Sequence, residues 1–239
     1  MSREILHPET VGIVGAMETE VLTLRDSLTQ LHTHKIGKNI TMYTGKYAGK
    51  DIALCQSGIG KVNAAVATTL LIEHFSPDCV INTGSAGGVG KGLKVGDVVI
   101  GTQIAHHDVD VTAFGYAHGQ VPQMPAFYTC DSTLTYAAEA AAVNFKDAHI
   151  FRGVIVSGDQ FINGQDKIAQ IRRHFPEIQA IEMEAAAIAQ TCFLLKMPFV
   201  IIRAISDSAD ENANISFDEF LATAAQHSAK MVHQMIEAL

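Results

Sequence analysis

Carboxylate side chains at the ends of predicted strands are the strongest chemical signal in this sequence. They are Glu20, Asp159, Glu182, Glu184 and Asp207. In open α/β sheets, ligands bind in the crevice at the carboxyl ends of the strands. Two carboxyl groups that are held at different pKa values can serve one reaction as its acid and its base. The pattern therefore indicates acid–base chemistry at the sheet edge.

Some of these carboxylates have a simpler explanation, because acidic residues at the start of a helix favour the helix dipole. For Glu182 this explanation is at least as good as a catalytic one. It is weaker for Asp207, which follows an apolar strand, and for Glu184, which opens an alanine-rich helix. A charge buried at those positions needs a ligand, a partner or a raised pKa. We expect burial to raise the pKa of Asp207.

The segment 106–110 raises the alternative of a metal site. His106, Asp108 and Asp110 alternate and would share one face of a strand. Three ligands with an open position suit catalytic zinc. A polar strand end that runs into a loop explains the same residues more simply, so we favour a site without metal.

Three widespread motifs are incomplete in this chain. Gly12 and Gly15 do not form the G-x-G-x-x-G dinucleotide pattern after the first strand. Gly60-Lys61 resembles the end of a phosphate-binding loop, but Cys55 and Val62 occupy positions where that loop requires glycine and serine or threonine. The G-x-S-x-G nucleophile elbow does not occur.

The elements that must position the carboxylates alternate along the chain. We predict strands at 11–15, 41–47, 51–56, 78–83, 97–106, 151–157 and 198–205. We predict helices at 18–31, 61–75, 132–145, 166–174, 183–195 and 216–239. Ser216 and Glu219 have the spacing of a capping box at the start of the last helix. Strands without polar alternation are buried on both faces, which indicates a mostly parallel sheet with helices on both sides.

Composition excludes several classes of protein. The chain has 239 residues, a net charge of −8 and 48% hydrophobic residues. Such an acidic chain offers no field that attracts nucleic-acid phosphates. Its longest apolar run is interrupted by Arg203 and cannot span a bilayer. We expect an N-terminal extension at 1–9 without a signal peptide, then one domain at 10–239.

The cysteines point to a reducing compartment. None of the four belongs to a Cys-x-x-Cys pair, and three lie in apolar runs that predict burial. Together with the absence of a predicted signal or membrane segment, this favours a cytoplasmic protein. The cysteines are Cys55, Cys79, Cys130 and Cys192.

Taken together, eight ordered segments resemble the 5′-methylthioadenosine/S-adenosylhomocysteine nucleosidase family over nearly the whole chain. They are GAMETEV, SGIGKVNAA, INTGSAGG, DVDVTAFGY, VSGDQFING, IEMEAAAIA, RAISDSAD and SFDEFL. The resemblance implies a three-layer α/β/α sandwich of nucleoside phosphorylase type, with a mixed, mostly parallel sheet. It implies a homodimer without a cofactor. The implied reaction is hydrolysis of the N-glycosidic bond of 5′-methylthioadenosine and S-adenosylhomocysteine, and we expect 5′-deoxyadenosine to be accepted too.

The resemblance also implies roles for single residues. Asp207 would protonate the five-membered ring of adenine, and Glu20 would activate the attacking water. Glu184 would hold the ribose hydroxyls, with Met183 packed against the sugar. The other implied substrate-binding residues are the adenine-stacking Phe161, Ile162 at the purine edge, the organising Ser85, Arg203 and Ser206, the thio-group pocket Met17, Ile59 and Phe217, and the partner-subunit residues Val111, Phe114 and Pro122. By sequence position alone, Phe161 and Phe217 would be interpreted as core residues.

This chemistry explains why two carboxyl groups are needed. Protonating the purine turns a poor leaving group into neutral adenine, while the sugar acquires oxocarbenium character, as in glycoside hydrolysis. The acid must be protonated and the water-side group ionised, so their environments must differ.

Two alternatives to this hydrolase remain at this stage. A phosphorylase of the same fold would bind a phosphate dianion, which calls for arginine. Phosphorylases that resemble this chain tend to carry arginine three residues before the serine of the TGS segment, where this chain has Asn82. The second alternative is a non-catalytic adenosine-binding protein, which the presence of Glu20, Glu184 and Asp207 disfavours.

Overall fold

The computed structural model describes residues 7–143, 145–146, 148–210 and 213–239. Residues 1–6 of the predicted extension lie outside these ranges. The described strands are β1 Thr10–Gly15, β2 Thr29–Ile36, β3 Ile40–Tyr47, β4 Lys50–Gln56, β5 Cys79–Asn82, β6 Ser85–Gly88, β7 Val98–His106, β8 Tyr128–Thr129, β9 Ile150–Ser157, β10 Ile178–Glu182 and β11 Phe199–Asp207. The described helices are α1 Glu18–Asp26, α2 Lys61–Phe75, α3 Ser132–Ala142, α4 Gln165–His174, α5 Ala185–Leu194 and α6 Ala213–Ala238.

The strands form one mixed sheet in the order β2-β3-β4-β1-β5-β11-β6-β10-β9-β7-β8. Parallel pairs join β1 to β4 and β5, β11 to β5 and β6, and β9 to β7 and β10. The other described pairs are antiparallel, including β2 with β3 and β3 with β4. The mixed sheet predicted from the sequence is therefore confirmed.

Strand β11 connects two parts of this sheet. Its first half pairs with β5, its second half pairs with β6, and β7 pairs with it as well. The strands β11, β6, β10, β9 and β7 thus close into a ring. Every residue of β11 is buried. A buried strand in this position can deliver its last side chain, Asp207, to an interior site.

Helices cover the sheet in two groups. Helix α2 packs against α5, while α6 packs against α1 and α3. Helix α2 contains neither glycine nor proline, and it ends at Ser76, which adopts a left-handed conformation just before Pro77. No helix among the described residues has the length and apolarity needed to cross a membrane.

The structure corrects several local predictions from the sequence, and it adds the strands β6, β8 and β10, which were not predicted. The predicted helix 18–31 ends at Asp26, and Thr29–Ile36 is a strand. This strand is mostly exposed, so its sequence lacks the apolar alternation that would reveal it. The capping box was also wrong: α6 begins at Ala213, so Ser216 and Glu219 lie inside the helix.

Candidate active site

The segments that follow β1, β4, β10 and β11 meet around a cavity of about 270 Å³. Strand β6 supplies its floor through Ser85, Ala86 and Gly87. The lining contains most of the residues expected from the sequence: Met17, Glu20, Ile59, Ser85, Phe161, Ile162, Met183, Glu184, Ser206, Asp207 and Phe217. Side chains from distant parts of the chain therefore converge as predicted.

Glu20 is held rigidly at the start of α1. Its Oε2 atom accepts hydrogen bonds from the backbone amides of Ala16 at 2.8 Å and Met17 at 3.0 Å. Its Oε1 atom accepts from the amide and the hydroxyl of Ser85, both at 2.9 Å. An ionised carboxylate, which only accepts hydrogen bonds, suits this set of donors. Glu20 is thus a buried acceptor whose position is fixed by β1 and β6.

Gly84 allows the close approach that this arrangement needs. A Cβ atom at position 84 would lie 3.0 Å from Glu20 Oε1 and 3.0 Å from an Arg203 nitrogen. Any side chain there would push on both groups.

Glu184 lies between two other carboxyl groups, Glu20 and Glu182, and the start of α2. Its Oε1 atom accepts a 2.8 Å hydrogen bond from the amide of Gly60. Burial, helped by the neighbouring Glu182 and Glu20, raises the pKa of Glu184 to about 8, although Arg203 and the Gly60 amide oppose the rise. In the ligand-free protein, this carboxyl group therefore holds a proton near neutral pH and can ionise when a cationic or hydrogen-bond-donating ligand arrives.

Glu182 forms the buried ion pair that supports Glu184. Arg203 Nη2 donates to Glu182 Oε2 at 2.6 Å and to Asn82 Oδ1 at 2.6 Å. Burial alone would raise the pKa of Glu182, but the charge of Arg203 and hydrogen bonds, including one from Ser157, hold it below its ordinary value. Glu182 Oε2 also accepts from the amides of Glu184 and Ala185 at the start of α5.

Asp207 is the last residue of β11 and lines the cavity. In the sequence it lies far from Glu20. It is 2% exposed. Its Oδ1 atom accepts from the Ala209 amide at 2.8 Å, and its Oδ2 atom accepts from the Ser206 hydroxyl at 2.9 Å. Burial raises the pKa of Asp207, and these two hydrogen bonds oppose the rise only in part. The predicted direction of the shift is confirmed.

Apolar groups complete the cavity. The rings of Phe161 and Phe217 pack edge to face, with centroids 5.9 Å apart. Phe161 is 42% exposed and Ile59 is 52% exposed, so neither is a core residue in this chain. Ile162 differs: it is buried and packs in a small apolar cluster with Ile168 and Ile171 of α4.

Four expected residues do not line this cavity. Arg203 lies behind it, paired with Glu182. Val111 precedes a 3-10 turn at Thr112–Phe114, and Phe114 is the last residue of this turn. Pro122 lies in the following loop. Phe114 is 82% exposed.

Sequence reasoning undervalued Glu182 and passed over Gln160, which lines the cavity next to Phe161. Glu182 does bond the first amides of α5, as the simpler explanation expected, but its partnership with Arg203 was not anticipated. One feature of the sequence could have indicated this ion pair: Arg203 lies in an apolar strand predicted to be buried, and a buried arginine needs an opposite charge.

His106, Asp108 and Asp110, the three candidate metal ligands, each contact a different protein group instead of sharing a metal geometry. His106 Nε2 lies 2.9 Å from Gln190 Oε1, Asp108 pairs with Lys61, and Asp110 bonds Thr112. Within the described ranges, no group of three metal-ligating side chains was found.

Comparison with known proteins first defines the class of this chain. The sequence model of the phosphorylase superfamily matches residues 10–237. The mixed sheet and the cavity at its strand ends agree with that class.

Closer relatives define the family. A 5′-methylthioadenosine/S-adenosylhomocysteine nucleosidase of an Exiguobacterium species is 54% identical over 229 residues, 96% of this chain and 98% of the relative. The Neisseria meningitidis nucleosidase, solved with methylthio-immucillin-A, is 60% identical with a TM-score of 0.95, covering 97% of this chain and 100% of that one. The Colwellia psychrerythraea nucleosidase, solved with adenine, is 42% identical with a TM-score of 0.94, covering 99% and 98%. The chain belongs to the 5′-methylthioadenosine/S-adenosylhomocysteine nucleosidase family.

Proposed function

We propose that this protein hydrolyses the N-glycosidic bond of 5′-methylthioadenosine and S-adenosylhomocysteine, releasing adenine and the 5′-thioribose. One observation carries the choice of water as the nucleophile. The cavity is lined by the carboxyl groups of Glu20, Glu182, Glu184 and Asp207, and no lysine or arginine among the described residues lines it. Of these groups, the Glu20 carboxylate would repel a phosphate dianion beside the sugar, whereas it can accept a proton from water and stabilise a cationic sugar.

In this proposal, Asp207 is the acid that acts on the adenine leaving group. Its raised pKa favours the protonated form, which a leaving-group acid requires. Asp207 transfers its proton to the five-membered ring of adenine, and the electrons of the breaking C–N bond stay on the base. Phe161 stacks on adenine, the backbone of Ile162 bonds the purine edge, and Ser206 orients Asp207 through its 2.9 Å hydrogen bond.

Glu20 and Glu184 act on the water and the sugar. Glu20 accepts a proton from the attacking water, and its Oε2 atom is positioned by the amides of Ala16 and Met17. Glu184 releases its proton to solvent as substrate binds, and the resulting carboxylate accepts hydrogen bonds from the ribose hydroxyls. Its negative charge then stabilises the sugar as the sugar becomes cationic in the transition state. Ser85 positions Glu20, and Arg203 acts through Glu182.

Apolar residues receive the substituent on C5′. Met17, Ile59 and Phe217 line the cavity near its exposed side and suit a thioether, while Met183 packs against the sugar. A plain 5′-deoxy carbon fits the same surface, so 5′-deoxyadenosine is a further proposed substrate.

The active form is a homodimer in this proposal. Phe114 is 82% exposed and does not line the cavity of its own chain. Burying a side chain of this kind stabilises by about 1.5–3 kcal/mol. Val111, Phe114 and Pro122 then close the thio-group pocket of the partner subunit.

The wider setting is also proposed. Residues 10–239 act as one catalytic domain after a short extension at 1–9. The four cysteines are free and buried, which suits a reducing cytoplasm. Cleaving methylthioadenosine to adenine and a thioribose would feed methionine salvage.

The test is adenine release from the three nucleosides in parallel, each with and without phosphate. We expect turnover of methylthioadenosine and adenosylhomocysteine in both buffers. Turnover that depends on phosphate would support the phosphorylase alternative, and binding without turnover would support a non-catalytic adenosine-binding protein.

A further inference from the structure

A partly buried ion pair outside the reacting groups connects the loops that form the proposed purine end of the cavity. Lys61 Nζ donates to Asp108 Oδ1 at 2.7 Å. The two side chains are only 19% and 14% exposed. Neither residue lines the main cavity, and the proposed chemistry does not use either of them.

Asp108 has a second contact that reaches the wall of the cavity. Its Oδ2 atom accepts a 2.9 Å hydrogen bond from the amide of Asp159. Asp159 lies two residues before Phe161, in the segment 158–163 that also supplies Ile162. One carboxylate thus holds the start of α2 with one oxygen and the purine-side segment with the other.

Asp159 in turn contacts the start of α2 through its own carboxylate. Its Oδ1 atom accepts from the amide of Lys61 at 2.9 Å, and the adjacent amide of Gly60 donates to Glu184 at 2.8 Å. Consecutive amides at the start of α2 therefore hold the segment behind the purine and the carboxyl group proposed for the ribose.

We infer that Asp108 is a positioning residue for the purine end of the site, acting through this Asp108 bridge, which consists of Asp108, Lys61 and Asp159. The buried Ile162 anchors the second half of the segment 158–163, whereas the exposed Phe161 has little core packing of its own, so the bridge fixes the part of the segment that precedes Phe161. The Lys61 ammonium, together with hydrogen bonds, holds the pKa of Asp108 below its ordinary value despite burial, which keeps the bridge charged at neutral pH. The kinetic consequence of this inference rests on the proposed nucleosidase function.

Three variants separate positioning from simple stability. Asp108→Ala removes both bridge contacts, Lys61→Met removes only the ion pair, and Asp108→Asn keeps an acceptor for the Asp159 amide. Asp110→Ala is the matched control, because Asp110 lies in the same loop and accepts its hydrogen bonds from the amide and the hydroxyl of Thr112. Loss of one or two charge-assisted hydrogen bonds predicts effects of roughly tenfold.

Amide hydrogen exchange of the ligand-free protein is the first measurement. We expect exchange within 158–163 to accelerate roughly tenfold in Asp108→Ala, less in Asp108→Asn, and least in Lys61→Met, which leaves the Asp108 carboxylate on the Asp159 amide. Exchange in β5 and α3 should remain as in the wild type. Rates within 158–163 that match those of Asp110→Ala would overturn the inference, whether or not the protein is a nucleosidase.

Steady-state kinetics with methylthioadenosine is the second measurement. A misplaced purine wall weakens binding in the ground state and the transition state alike, so KM should rise roughly tenfold in Asp108→Ala with little change in kcat. A purely structural role would lower the melting temperature and leave KM at the value for Asp110→Ala, which would also overturn the inference. Failure of the wild-type protein to release adenine would instead refute the proposed function, and the exchange data would still decide on the bridge.

Discussion

At the scale of single residues, two buried carboxyl groups share a raised pKa but meet different partners. Asp207 accepts from an amide and a hydroxyl, whereas Glu184 accepts from the Gly60 amide and faces the Glu182–Arg203 pair. In the proposed reaction, Asp207 delivers its proton to the base, whereas Glu184 loses its proton to solvent on substrate binding and holds the cationic sugar as a carboxylate. A raised pKa therefore serves proton transfer at Asp207 and charge stabilisation at Glu184.

Replacing Asp207 by asparagine tests the proposed acid. Asparagine has a similar shape and can accept the Ala209 hydrogen bond, so the fold should persist. It cannot transfer a proton, so kcat should fall by about 10²- to 10⁴-fold. The measurement is adenine release at saturating methylthioadenosine, with thermal unfolding as the control. A variant that retains wild-type turnover would show that Asp207 is not the acid.

Replacing Glu184 by glutamine tests the buried proton. The pKa of Glu184 rises from 4.5 to about 8 on folding. Between these values the folded state binds more protons than the unfolded state, so this group makes stability fall as pH rises from about 4.5 to 8. Glutamine can still accept from Gly60 without ionising. We expect Glu184→Gln to be more stable than the wild type at pH 8, by about 2–4 kcal/mol, and to lose catalysis.

Urea unfolding of the ligand-free protein at pH 5 and pH 8 measures this difference. The gain should be large at pH 8 and small at pH 5. Glu73→Gln, on the exposed side of α2, is the control and should show no such dependence. An equal difference at both pH values would contradict the raised pKa.

At the scale of elements, the start of α5 is the junction of the site. Glu182 ends β10, accepts from the first amides near α5, and pairs with Arg203 of β11. Arg203 is in turn bound by Asn82 of β5. Three strands and a helix therefore depend on one buried ion pair.

Glu182→Gln should destabilise the protein strongly, because it leaves the Arg203 charge buried without an opposite charge. Breaking such a pair costs about 3–5 kcal/mol. Asp51→Asn breaks the exposed Lys46–Asp51 pair and should cost less than about 1 kcal/mol. Urea unfolding at pH 7 compares the two. Similar costs for both variants would mean that Arg203 finds another partner.

Elements with a strong local pattern could be predicted from the sequence. Helix α2 was predicted with its observed bounds, and the β3–β4 hairpin turns at Ala48 and Gly49, which both have positive φ. Strand β2 was missed because its stability comes from pairing with β3, and its exposed side chains carry no apolar signal. Tertiary pairing of this kind is invisible in one sequence.

In the candidate site too, some features follow from local sequence patterns and others depend on tertiary contacts. The convergence of Glu20 and Asp207 follows from the ends of β1 and β11, which a pattern can locate, whereas β10, the strand that leads to Glu184, was not predicted. The ion pair between Glu182 and Arg203 joins residues 21 positions apart on different strands, and sequence spacing does not encode it. Asn82 is buried, binds Arg203 and does not line the cavity, so Glu20, which does line it, is the residue that disfavours phosphate.

At the scale of the whole molecule, the site of one chain has an exposed apolar side. Ile59 and Val62 are 52% and 74% exposed near the start of α2, and the Lys61–Asp108 contact brings that helix beside the segment leading to Phe114. A neighbouring copy of the chain would cover these groups in the proposed homodimer.

Phe114→Ser tests this assembly. We expect sedimentation to show a shift from dimer towards monomer, and KM for methylthioadenosine to rise, because the partner's thio-group pocket loses its cover. Tyr136→Ser is the matched control, since Tyr136 is 72% exposed on α3, and it should leave both quantities unchanged. A Phe114→Ser protein that sediments and binds like the wild type would contradict the proposed interface.

The central claim is that water attacks the sugar while Asp207 and Glu20 act from opposite sides. Turnover of methylthioadenosine in phosphate-free H₂¹⁸O, analysed by mass spectrometry, tests it most directly. We predict adenine release with one ¹⁸O atom on C1′ of the methylthioribose, and the same product when phosphate is added. Turnover that requires phosphate, or a sugar phosphate without the label at C1′, would contradict the account.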